Sequence, residues 1–149
     1  MKSFSFWQKW LFVVGLFLCA LGVVLAFASD SSLTDFVFND RIDPVFWENG
    51  APSEDGLIFR GWIYGVLGSV ILSWGVLIAF IAYHPFKRKE RWASNCILLA
   101  TLIWFIPDTV ISASYGVGFN VVFNTALLIV IILPWLLTRG HFSSGRLAG

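Results

Sequence analysis

The chain has 149 residues, of which 58% are apolar and 13% charged, and its formal net charge is +1. A typical soluble domain has about a quarter of its residues charged, and nucleic-acid-binding domains are usually strongly basic, so neither class fits. The length fits one domain comprising residues 1–149, and the apolar residues fall in runs of about 20, enough for a helix to cross a bilayer.

These runs predict a four-helix transmembrane bundle, because an unpaired backbone amide in hydrocarbon is costly and a helix pairs nearly all of its own. The first run ends at Ala26-Phe27-Ala28, which also resembles the cleavage site of a signal peptide. Its apolar stretch is longer than a usual signal core, so we interpret it as a retained helix. The four predicted spans are residues 10–28, 59–83, 93–114 and 119–138.

Residues 29–58 form a long connection between the first two spans. Asp43 followed by Pro44 predicts the start of a short helix over residues 44–48, and Ser53 predicts a cap near the start of the second span. Aromatic residues alternate with acids here, which indicates a structured loop at the membrane surface. It is either a lid over the bundle or a solvated cap without a ligand.

The distribution of charge predicts the orientation, because basic residues concentrate at cytoplasmic helix ends. Seven of the nine acids and two arginines, Arg41 and Arg60, lie in or beside the connection 29–58, which is therefore expected outside the cytoplasm. Both termini are then cytoplasmic, and the compact chain with its basic bias suggests a bacterial inner membrane. The basic residues expected on the cytoplasmic side are Lys2, Lys9, Lys87, Arg88, Lys89, Arg91, Arg139 and Arg146.

Small residues predict where helices pack, since close backbone approach replaces the hydrophobic effect inside lipid. The second span has such residues at a four-residue spacing, and the first span has a comparable face. These two faces are expected to pack against each other or against copies of themselves, whereas residues 127–133 are uniformly bulky and are expected to face lipid or a partner. The two faces are Gly61, Gly65, Ser69 and Ser73, and Gly15, Cys19, Gly22 and Ala26.

Asp108 is the one acidic or basic residue well inside a predicted span, and such residues need a partner or have a function. Helix register places other polar residues at a similar depth, and Pro107 predicts a kink beside the acid. Asp108 either pairs with Arg60 or accepts hydrogen bonds from the asparagines and so joins three helices, or it belongs to a pocket that binds a ligand or carries a proton. The predicted polar cluster is Arg60, Tyr64, Asp108, Ser112, Asn120 and Asn124.

The sequence has no motif for catalysis, nucleotide binding or metal binding, so we expect no cofactor and no metal. The function favoured by the sequence is that of a non-catalytic accessory, scaffold or assembly subunit, with the bilayer and a membrane protein or a second copy as partners and no nucleic acid. The alternative is binding or transport of a small or hydrophobic solute at Asp108. A third hypothesis is a lipid-modifying enzyme that uses Asp108 as its acid or base.

Overall fold

The computed structural model describes residues 2–142, and every regular element in that range is helical. Four helices are long and apolar enough to cross a membrane, which indicates an integral membrane protein, as the sequence predicts. In chain order the elements are α1 (Lys2–Phe27), α2 (Ser32–Thr34), a π-helical turn (Asp35–Asn39), α3 (Asp40–Phe46), α4 (Glu54–Ile81), a second π-helical turn (Ala82–Phe86), α5 (Arg91–Ser114), α6 (Gly118–Thr138) and a final 3₁₀ turn (Arg139–His141).

Helices α1 and α4 pack along most of their lengths and form the closest helix pair. Glycines bring their backbones together: a Cβ atom added to Gly22 would lie 2.5 Å from the Leu72 nitrogen. A Cβ atom added to Gly75 would lie 2.6 Å from the Cys19 nitrogen. Packing through small residues is therefore the main contact between these helices, as expected in an apolar solvent.

The residues of α4 in this contact differ from those predicted. Gly68 and Gly75 make the close approach. A Cβ atom added to Gly61 or Gly65 would have its nearest neighbour 4.0 Å away, so these glycines are not in tight contact, and Ser69 and Ser73 are exposed. Gly68 and Gly75 are spaced by seven residues and share one face, whereas a four-residue spacing drifts around the helix and takes Gly65, Ser69 and Ser73 off that face. Gly61 keeps the seven-residue spacing but lies level with Ser29, beyond the end of α1 at Phe27. On α1, the predicted face of Gly15, Cys19, Gly22 and Ala26 does lie against α4.

Helices α5 and α6 form a hairpin, and Gly116 takes a positive φ of 76° in the turn between them. α6 also packs against α1, and Trp10 donates a hydrogen bond to the Val130 carbonyl (3.1 Å). Leu127 and Ile131 are consequently buried, which corrects the expectation that residues 127–133 face only lipid or a partner. Bulky side chains such as these are buried where the neighbouring helix, here α1, leaves room for them to interdigitate.

The connection between α1 and α4 is helical over residues 32–46, here called the cap segment. Its helix begins upstream of the predicted position, because the Ser31 hydroxyl accepts a hydrogen bond from the Thr34 amide (3.3 Å) and acts as the N-cap. Pro44 therefore lies inside α3, which ends at Phe46 and does not include Glu48. Ser53 caps α4 by accepting a bond from the Gly56 amide (3.3 Å).

An aromatic cluster at the opposite end joins the start of α1, the turn before α5 and the segment after α6. The centroid of the Phe86 ring lies 5.7 Å from that of Phe4 and 5.0 Å from that of Phe142. The Lys89 ammonium makes a cation–π contact with the Phe4 ring. These three parts of the chain thus meet at one end of the bundle. Most of the basic residues predicted to be cytoplasmic belong to them, while Arg146 lies outside the described residues.

The glycine contact predicts opposite effects for two Gly-to-Ala substitutions in α4. Gly68→Ala would press a methyl group against the α1 backbone, where the added Cβ would lie 2.5 Å from the Ala26 nitrogen. We expect it to lower the free energy of unfolding by about 1–3 kcal/mol. Gly61→Ala is the matched control, because it has room and gains helix propensity, and it should be neutral or slightly stabilising. Unfolding in detergent micelles checks this, and equal stability of the two variants would contradict the packing.

Candidate ligand-binding cavity

A cavity of about 740 Å³ lies between the α1–α4 pair and the α5–α6 hairpin, beneath the cap segment. Its size falls within the range of about 300–1,000 Å³ that is usual for small-molecule sites. From Ala100 to Asp108 it follows α5 for about 12 Å, at a rise of about 1.5 Å per residue. Most of its wall is apolar; Tyr64, Asp108, Asn120 and Asn124 gather at the end that faces the cap segment, and Ser73 lies further along α4.

The cavity is open on one side, because α4 and α5 are not closely packed. The rings of Trp74 and Trp104 lie 5.1 Å apart and span the gap between the two helices. Val70 on α4 and Ile103 on α5 line the cavity and are more than half exposed. In a bilayer these side chains would contact acyl chains, so the opening is suited to lateral entry from the membrane.

Asp108 lies at the polar end of the cavity and accepts three hydrogen bonds from neutral groups. Trp104 Nε1 donates to Oδ2 (3.0 Å), while Ser112 Oγ (3.2 Å) and Asn120 Nδ2 (3.0 Å) donate to Oδ1. Asn120 Nδ2 also donates to Ser112 Oγ (2.8 Å). We call these four residues the Asp108 cluster; they hold the carboxylate in place without supplying a positive charge.

The cluster is assembled by helix geometry and by the short hairpin turn. Trp104, Asp108 and Ser112 are spaced by four residues and therefore share one face of α5. The turn at residues 115–117 folds α6 back so that Asn120 reaches that face. Sequence analysis missed Trp104, although its position four residues before Asp108 is a signal that could have identified it.

Asn124 and Tyr64 also line the cavity but lie outside the hydrogen-bonded cluster. Asn124 is buried and donates a long hydrogen bond to Thr109 Oγ1 (3.4 Å), a second partner that sequence analysis missed. Tyr64 extends from α4 on the opposite wall. The structure therefore brings five of the six residues of the predicted polar cluster to one region.

Arg60 is the exception, because it pairs with acids of the connection and not with Asp108. Its guanidinium binds the buried Asp43 carboxylate (2.5 Å) and the exposed Asp30 carboxylate (3.1 Å). These pairs link α4 to α3 and to the segment that follows α1. The sequence suggested Asp108 as one alternative partner of Arg60 and gave it none in the connection, where the structure places both of its acids.

Three further contacts fix the cap segment over the cavity. Thr34 Oγ1 donates to the Ala28 carbonyl (2.7 Å), and Asn39 Nδ2 donates to the Ser29 carbonyl (3.1 Å), so the end of α1 is tied to the cap. Phe38 packs edge-on against Phe119 and Phe123 of α6 and forms part of the cavity lining. The cap segment thus closes the polar end while the side between α4 and α5 stays open.

Burial raises the pKa of the Asp43 carboxyl, and the Arg60 guanidinium acts in the opposite direction by stabilising the carboxylate. Asp43 consequently takes up a proton, and gives up its ion pair with Arg60, at a higher pH than an exposed aspartate would. No group of three His, Cys, Asp or Glu side chains is arranged to hold a metal within residues 2–142.

Comparison with known proteins gave no match: no family model, no curated protein and no solved structure is significantly similar to this chain. The interpretation of the cavity therefore depends on its own geometry and chemistry.

The contacts of Arg60 predict unequal effects for its two acidic partners. Asp43→Asn leaves a buried guanidinium with one exposed partner, whereas Asp30→Asn removes a carboxylate that is 67% exposed. We expect Asp43→Asn to destabilise the protein by more than the roughly 0–1 kcal/mol usual for an exposed pair. Thermal unfolding and hydrogen exchange of residues 32–46 measure this. Equal effects of the two substitutions would contradict a buried ion pair at Asp43.

Proposed function

We propose that this protein binds a single-chain amphiphile that enters from the membrane, with its chain in the cavity and its polar end at the Asp108 cluster. The observation that supports this most is the position of a hydrogen-bonded carboxylate at the polar end of an apolar cavity that is open toward lipid. It supports the solute-binding alternative of the sequence analysis, and the bond from Asn120 that joins α6 to α5 holds Asp108 in position at the cavity.

The physics of the bilayer explains why the polar end would determine the affinity. An acyl chain gains little by leaving lipid for an apolar cavity, since both surroundings are equally apolar. Hydrogen bonds and charges are stronger in such surroundings because the local dielectric is low. Selection among lipids would then depend on the group that meets Asp108, and the apolar walls would mainly set the chain length.

We propose in addition that the cap segment faces the outside of a bacterial inner membrane and that both termini are cytoplasmic. The support is the gathering of basic residues at the end with the Phe4, Phe86 and Phe142 rings, together with acids at the cap end. In this orientation the Asp108 cluster lies in the outer half of the membrane.

The orientation can be tested with two single-cysteine variants in a background where Cys19 and Cys96 are replaced by alanine. Asn49 and Lys87 are exposed at opposite ends of the bundle. A membrane-impermeant maleimide applied to intact cells should label Asn49→Cys and leave Lys87→Cys unlabelled until the membrane is permeabilised. The reverse pattern would overturn the orientation.

The accessory-subunit role favoured by the sequence is a second proposal. A groove of about 320 Å³ follows the seam between α1 and α4 and includes Phe12, Val76, Phe80 and Tyr83. Its wall is apolar, so a helix of a membrane partner or of a second copy could pack there through van der Waals contact.

Native mass spectrometry of protein extracted in mild detergent tests both roles. For the first, we expect a retained small molecule that is lost or strongly reduced in Ala100→Phe, because the larger side chain enters the cavity. Leu99→Phe is the control, since Leu99 is the neighbouring residue on α5, is exposed like Ala100, and does not line the cavity. Equal retention in both variants would contradict binding in the cavity. An added polypeptide mass or a dimer would instead support the subunit role.

A further inference from the structure

We infer that the polar end of the bound amphiphile is a cation, so that the ligand class is a long-chain amine or quaternary ammonium compound. This inference rests on the proposed binding function and adds the charge of the ligand to it. It comes from three features of the cavity: an acid without a counter-charge, remaining acceptor capacity on that acid, and an aromatic lining.

The first feature is the missing positive charge at Asp108. A carboxylate at membrane depth is costly and normally pairs with a cation. Among residues 2–142, no ion pair involves Asp108, and its donors Trp104, Ser112 and Asn120 are neutral. Neutral donors satisfy lone pairs but leave the net charge in place, so a cationic ligand would supply what the fold does not.

The two arginines of the cap end have other partners. Arg60 is held by Asp30 and Asp43. Arg41 donates to the carbonyl oxygens of Phe36 and Val37 and stacks over the rings of Phe36 and Phe119. Neither is therefore available to neutralise Asp108 in this arrangement.

The second feature is the unequal use of the two oxygens of Asp108. Oδ1 accepts two hydrogen bonds, from Ser112 and Asn120, whereas Oδ2 accepts one, from Trp104. An ionised carboxylate has about four acceptor positions, so Oδ2 can accept another donor. Because Asp108 lines the cavity, an ammonium N–H from a bound ligand can take that position.

The third feature is the aromatic lining of the cavity, of which Trp104 contacts the acid directly. Aromatic faces attract cations through their quadrupoles, and aromatic rings around a carboxylate suit ammonium groups, including quaternary ones that cannot donate a hydrogen bond. An alcohol could donate to Oδ2 but would leave the charge uncompensated, and a fatty acid would place two carboxylates together. The aromatic side chains that line the cavity are Phe38, Tyr64, Trp74, Trp104 and Phe123.

The experiment uses three probes of equal chain length, namely dodecylamine, dodecanol and dodecanoate, added to the full chain in dodecyl maltoside micelles. Binding is followed by native mass spectrometry and by tryptophan fluorescence. We expect the amine to bind at least about tenfold more tightly than the alcohol, as a charge-assisted hydrogen bond at low dielectric would give, and the carboxylate to bind most weakly.

Two variants locate the preference. Asp108→Asn removes the charge and should reduce the affinity for dodecylamine by about tenfold or more while changing that for dodecanol little. Asp55→Asn makes the same chemical change at an exposed position and controls for the general attraction of amines to an acidic surface. Its affinity for dodecylamine should match that of the unmodified chain.

The outcomes separate the inference from the function on which it rests. If none of the probes binds, the proposed function fails together with the inference. If probes bind but the alcohol or carboxylate equals or exceeds the amine, or if Asp108→Asn keeps the preference for the amine, the cationic ligand is excluded and the cavity remains a binding site. If Asp108→Asn does not fold, the order of the three probes on the unmodified chain decides.

Discussion

The close approach of α1 and α4 is the contact on which the rest of the structure depends. Glycines in both helices let the backbones touch, and this fixes one face of α4 against α1. α6 packs on another part of α1, while α5 meets α4 mainly through the Trp74–Trp104 ring pair and the turn at Ala82–Phe86. The space left between α4 and α5 becomes the cavity, whose existence therefore follows from where the glycines are.

Arg60 connects this helix arrangement to the chemistry of the cavity. By pairing with Asp30 and Asp43 it anchors the cap segment, and it leaves Asp108 with neutral partners only. Had Arg60 reached Asp108, the acid would be a structural link between helices with its charge compensated. The ion pairs of the cap thus support a binding role for Asp108 by keeping the arginine elsewhere.

Much of the candidate site follows from local rules. The four-residue spacing on α5 and the short turn before α6 place Ser112 and Asn120 beside Asp108, and both were predicted from register alone. Trp104 obeys the same four-residue spacing, but the sequence analysis did not include it in the polar cluster. The pairing of Arg60 with Asp108, one of the predicted alternatives, does not occur, because helix register gives depth but not direction and the folded cap offers Arg60 closer carboxylates.

The sequence by itself determined the four apolar helices, the cap at Ser53 and the one acid inside a span, since these depend on hydrophobic length and on bonds between near neighbours. The tertiary structure decided which glycines touch, where Arg60 points, that Leu127 and Ile131 are buried, and that a cavity separates α4 from α5. These depend on the rotation of each helix about its axis, which is set by packing against the other helices.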